Sequence, residues 1–114
     1  MSADQIAEIS PVIREALAGG ADFCATFSLS GKSEHWVQFV DGTVNAAYPL
    51  AEEPSALIVR MENALLESWE PHQYLTVKLS LADARSISNW IAQYFEEVLG
   101  AFGDYSLDAS VEQL

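Results

Sequence analysis

The segment His35-Trp36-Val37-Gln38-Phe39-Val40-Asp41-Gly42-Thr43-Val44-Asn45-Ala46-Ala47-Tyr48 sets two runs of β-branched and aromatic residues on either side of an Asp-Gly pair. Such a pair is the strongest short-range signal for a two-residue hairpin loop, because both central positions of that turn need positive φ. A two-residue loop pairs Val40 with Thr43, Phe39 with Val44, Gln38 with Asn45, Val37 with Ala46 and Trp36 with Ala47. Side chains alternate along a strand, so this register sorts them into two faces. Val37, Phe39, Val44, Ala46 and Tyr48 form an apolar face that belongs against a core. Trp36, Gln38, Val40, Thr43, Asn45 and Ala47 form the opposite face, which is half polar and carries a tryptophan.

The rest of the chain is arranged around this hairpin. Ser2 to Ala18 reads as a helix: Ser2 and Gln5 have capping-box spacing, and Ile6, Ile9, Ile13, Ala16 and Leu17 recur at helical intervals. Pro11 removes a backbone donor, so a kink is expected there, or a restart capped by Ser10. Gly19-Gly20 ends the segment. Phe23 to Leu29 alternates as a strand, with Phe23, Ala25, Phe27 and Leu29 on one face. Keeping Phe27 beside Val37 demands a five-residue connection, Ser30 to Glu34. Between Ser55 and Trp69 the stripe Ile58, Met61, Leu65, Trp69 predicts a helix, although residues 56–61 also fit a strand. Tyr74 to Leu79 alternates, with Leu75, Val77 and Leu79 inward. Ser80 to Asp83 is a capping signal for a helix carrying Ile87, Trp90, Ile91, Tyr94, Phe95 and Val98, with Gly100 as its stop. From Asp104 the tail alternates again through Tyr105, Leu107, Ala109 and Val111, as an extra strand or a flexible tail over 104–114. The expected fold is one α+β domain spanning 1–114. It is a two-layer sandwich in which an antiparallel sheet, a β-meander plus a further strand, carries helices on one face.

Composition narrows the function. Half of the 114 residues are hydrophobic, enough for a core. Seventeen acidic residues against five basic ones give a net charge of −12, which repels nucleic acid and anionic membranes. No run approaches the roughly 18 apolar residues of a membrane span, and Met1 to Gln5 lacks the basic start of a signal peptide, so a cytoplasmic location is expected. The lone Cys24 reads as a packed thiol.

Catalytic motifs do not emerge. His35 opens a strand and His72 sits in a Pro71-His72-Gln73 turn, neither with a second ligand at metal-binding spacing. Gly31-Lys32-Ser33 has the end of a phosphate loop without its earlier glycine, since Thr26 stands there. Glu52-Glu53 reads as a solvated pair on a proline-bounded loop. The expectation is therefore no catalytic residues, no cofactor and no metal. Tryptophan is enriched at protein contacts. Trp69 and Trp90 fall in helical stripes that pack inward, whereas Trp36 lies on the non-core sheet face. Trp36, Gln38 and Asn45 are the candidate partner-binding residues.

Trp36-Val37-Gln38-Phe39 followed by Gly42 resembles the aromatic-Val-Gln-Phe strand and turn of the TY-Chap and YbjN-like bacterial domains, within the type III secretion chaperone-like superfamily. Element order, length and acidity resemble that superfamily over residues 1 to 100. The resemblance implies a small dimeric cytoplasmic protein that binds other proteins without catalysis. The chain departs from the pattern in showing no clear fifth strand before the final helix, with Tyr105 to Val111 following it instead. The leading expectation is a chaperone-like or adaptor protein, homodimeric, holding a partner polypeptide against a sheet face or edge with aromatic anchors. The alternatives are an acidic immunity protein that neutralises a basic toxin, and an enzyme whose site leaves no local motif.

Overall fold

The computed structural model describes residues 3–101, 103 and 105–114. Among these residues three helices and six strands follow in the order α1 (Ala3–Gly19), β1 (Phe23–Leu29), β2 (Lys32–Val40), β3 (Thr43–Ala47), α2 (Ser55–Met61), β4 (Ala64–Glu70), β5 (Tyr74–Leu79), α3 (Ala84–Glu97) and β6 (Leu107–Gln113). The strands form one antiparallel sheet in the order β4-β5-β3-β2-β1-β6. The fold is an α+β two-layer sandwich, with the helices gathered over the apolar face of the sheet.

The hairpin adopts the register its sequence predicts, with Val40 opposite Thr43 and Val37 opposite Ala46. Asp41 and Gly42 take φ values of 47° and 80°, the left-handed geometry of the primed turn. That register is carried sideways through the sheet. On the core face, Val77, Val44, Phe39 and Ala25 lie in one row and Leu75, Ala46, Val37 and Phe27 in the next. All eight are buried, together with Tyr48. The predicted strand at Tyr74–Leu79 and the tail strand both form; the latter pairs with β1 over its whole length.

Several local expectations are corrected. The predicted helix over Ser55–Trp69 stops at Met61. Glu62 (φ 62°, ψ 163°) and Asn63 (φ 58°) then reverse the chain into a strand, β4. The reversal is held from α3 and its approach: Trp90 Nε1 donates to the Glu62 carbonyl at 3.2 Å, and Ser80 N to the Asn63 carbonyl at 2.9 Å. The β4–β5 pairing slips between Leu66 and Ser68, leaving Glu67 as a bulge. The extra residue puts Leu66 and Trp69 on the core face and Leu65 on the other, 68% exposed. Trp69 is thus a strand residue, meeting Tyr48 edge to face at 6.1 Å. With β4 and β5 both ahead of α3, five strands precede the final helix. Phe27 does face Val37, but the connection is the two-residue turn Ser30-Gly31; a slip in the β1–β2 ladder absorbs Ser33, Glu34 and His35 on β2. Helix α1 runs through Pro11 without a break. Ala7 and Pro11 both face solvent, so water can satisfy the carbonyl that loses its donor. Leu17, expected in its inner stripe, is 40% exposed. The proposed Ser2 cap lies outside the described residues, and Gln5 is buried with its amide donating to the Tyr105 carbonyl.

Helix α3 opens on a side-chain cap and is tied to the sheet by a buried hydrogen bond. The Asp83 carboxylate accepts from Ser86 N at 2.9 Å as its N-cap, which holds that carboxyl below its ordinary range. Tyr94 stacks on Trp90 and donates its hydroxyl to the Ala47 carbonyl at 2.7 Å, pinning α3 to the end of β3. Burial pushes that phenol far above its ordinary range, so it stays a donor. Tyr94→Phe leaves the Ala47 carbonyl buried and unpaired, and is expected to cost about 1–3 kcal/mol of stability. Urea unfolding measures it, and an unchanged midpoint would show that the bond does not anchor the helix.

Candidate partner-binding face

The helices cover one side of the sheet, and the hairpin register dictates what the other side presents. The outward row through the middle reads Ser68, Thr76, Asn45, Gln38, Thr26 and Ser110, from β4 across to β6. Every member is an amide or a hydroxyl. One row along, toward the Asp41-Gly42 turn, stand Leu65, Lys78, Thr43, Val40, Cys24 and Glu112. In the opposite direction Glu70, Tyr74 and Ala47 continue into Trp36, Ser28 and Asp108.

The charges in these rows sit only on the marginal strands β4, β5 and β6. Within these rows β1, β2 and β3 carry none, in a chain of net charge −12; the charged residues of β2, Lys32 and Glu34, lie beyond them at its irregular start. Gln38, Asn45, Thr26, Thr76 and Trp36 all keep partial exposure, so the described residues leave the face uncovered. Cys24 and Ala47 are buried between larger neighbours, Cys24 with its sulfur 3.7 Å from the Thr26 hydroxyl. Thr76 donates to Asn45 Oδ1 at 2.7 Å, while Gln38 makes no side-chain hydrogen bond among the described residues. Asn45 keeps its NH₂, and Gln38 its whole amide, for an incoming group.

Trp36, Gln38 and Asn45 therefore share one face and stand on adjacent central strands, as the sequence predicts. Trp36 is partly buried and packs onto the edge of the core through its neighbours, leaving the rest of the indole open. Trp90, by contrast, is a core residue at 3% exposure.

The sequence does not reveal that the two histidines meet. His35, in the β2 irregularity, and His72, in the β4–β5 turn, line one cavity of about 150 Å³ with Glu34, Ala47, Tyr48, Pro49 and Gln73. The cavity shares Ala47 with the open face. Among the described residues no group of three His, Cys, Asp or Glu side chains is placed to hold a metal ion, and no helix is long and apolar enough to cross a membrane. The Tyr48 phenol is raised by burial and then by the negative field of Glu52 and Glu53, which marks this end of the sheet as acidic.

No family model matches the chain, and neither a curated protein nor a solved structure matches it.

Proposed function

We propose that this chain is a non-catalytic protein-binding domain, chaperone-like or adaptor in kind, that holds a partner polypeptide against the open sheet face. The observation that carries this reading is the uncharged centre of that face on so acidic a chain. Interface cores are depleted in charge and rich in aromatic residues, with a polar rim. Here Trp36 and Tyr74 supply the aromatic area, Gln38 and Asn45 the unspent hydrogen-bonding groups, and Lys78, Glu70, Asp108 and Glu112 the charged margin. Residence in the cytoplasm belongs to the same proposal.

Trp36→Ala removes a partly buried aromatic from that face. It is expected to weaken retention of the partner by about 1–3 kcal/mol, with folding nearly intact. Thermal melts and pull-downs of both proteins measure the two effects. A sharply lowered melt with normal binding by the remaining folded protein would show that Trp36 is structural. Salt separates this reading from an acidic immunity protein. Binding led by apolar and neutral polar contacts changes little as salt rises, whereas charge-led binding falls steeply.

The proposal also includes a homodimer, since two-fold dimers are the commonest assemblies of soluble proteins. Leu65 and Val59, exposed by 68% and 74%, stand on β4 and α2 away from the acidic β6 margin. Sedimentation at high micromolar concentration is expected to give twice the 12.5 kDa chain mass, and a 12.5 kDa species alone contradicts the dimer.

A further inference from the structure

The cavity beside Trp36 carries chemistry that the open face does not. Its lining contains both of the chain's histidines, one glutamate and no lysine or arginine. His72 is held in place by its backbone as well as its ring. Its N–H donates to the Leu50 carbonyl at 3.0 Å, the next residue Gln73 accepts from Tyr48 N at 3.2 Å, and His72 takes a φ of 60°. Its Nδ1 lies 2.8 Å from the Pro49 carbonyl. A carbonyl only accepts, so Nδ1 carries a proton and Nε2 is the ring nitrogen left for an incoming group. His35 is the complementary case. Its Nδ1 is buried and has no hydrogen-bond partner. Leaving a buried polar atom unpaired is unfavourable unless something arrives to pair it.

The charged and titratable groups around the cavity point to one kind of arrival. Glu34 lines it from β2, Tyr48 from the end of β3 and His72 from the β4–β5 turn. Glu52 and Glu53 act on Tyr48 from the loop before α2, and the Tyr48 hydroxyl donates to the Glu52 carbonyl. Imidazole nitrogens beside Glu34 and within the negative field of Glu52 and Glu53 favour a cationic donor and disfavour an anion.

We propose that the His35–His72 cavity is a socket for one basic side chain, an arginine or lysine, of the polypeptide laid across the sheet, with Glu34 as its counter-charge. The inference rests on the reading of the open face as the binding surface and deepens it by naming a feature of the partner.

The test uses the full chain, ¹⁵N-labelled, titrated with acetyl-Val-Arg-Val-amide while the ring nitrogens of His35 and His72 are followed by NMR. The arginine peptide is expected to shift both rings saturably. The peptides with citrulline or glutamate in place of arginine are expected to leave both rings unmoved. His35→Phe removes the buried acceptor, and Glu34→Gln removes an exposed carboxylate with little risk to folding. Each is expected to weaken the arginine peptide by about tenfold. An equal response to citrulline, unmoved rings, or unchanged affinity in Glu34→Gln overturns the socket. So does a zinc ion that shifts both rings while the arginine peptide does not. Failure here with Trp36-dependent retention intact rejects the socket alone, whereas loss of that dependence rejects the face itself.

Discussion

Everything described here depends on the two left-handed residues of the Asp41-Gly42 turn. They allow a two-residue loop, and the loop sets which residue of β2 faces which residue of β3. A slip of one residue would send Val37 and Phe39 to solvent and turn Gln38 into the core. The β1 and β5 ladders continue the same alternation on either side, so the local turn decides the composition of both faces of a six-stranded sheet. Packing reinforces the choice, because Phe27, Val37, Val44, Leu75 and Val77 are all completely buried on the side the turn assigns to them.

One-sided burial then generates the surface on which the functional reading stands. Antiparallel sheets can leave one face to water, and the usual outcome is a face that solvates itself with charge. This chain has charge in abundance and distributes it elsewhere, over loops, helices, marginal strands and the irregular start of β2. The central strands offer hydroxyls, amides and one tryptophan. Such groups are satisfied by water in the free protein and are inexpensive to desolvate when a partner supplies hydrogen bonds. The Tyr94–Ala47 bond ties this face to the core, since the carbonyl it uses belongs to the residue that lies between Trp36 and Tyr74 and lines the histidine cavity.

Strands with regular alternation and helices with marked ends were legible in the sequence: Phe23–Leu29, the hairpin, Tyr74–Leu79, the helix behind Asp83 and the tail strand. β4 was not, for a definite reason. A one-residue bulge at Glu67 breaks the period of two, and the residues Ile58, Met61, Leu65 and Trp69 on either side of the Glu62-Asn63 reversal fall at helical intervals by coincidence. Leu65 and Trp69, a stripe on paper, stand on opposite faces of a strand. The five-residue connection Ser30–Glu34 failed for a related reason: only Ser30 and Gly31 form the turn, and Lys32, Ser33 and Glu34 belong to β2, whose irregularity restores Phe27 opposite Val37. The shared face of Trp36, Gln38 and Asn45 was legible because register follows from local turn chemistry. The histidine pair was not, because residues from β2 and from the β4–β5 turn meet only after β5 pairs with β3.

The central claim is that the uncharged face is exposed in the free chain and is covered by a partner. Introducing charge at its middle, as Gln38→Lys with Asn45→Lys, tests it most directly, with thermal melting and partner retention measured on the same preparation. Both positions point away from the core, so the account predicts a melt close to that of the unaltered chain and loss of retention. A collapsed melt, or retention that survives two lysines at the centre of the face, contradicts it.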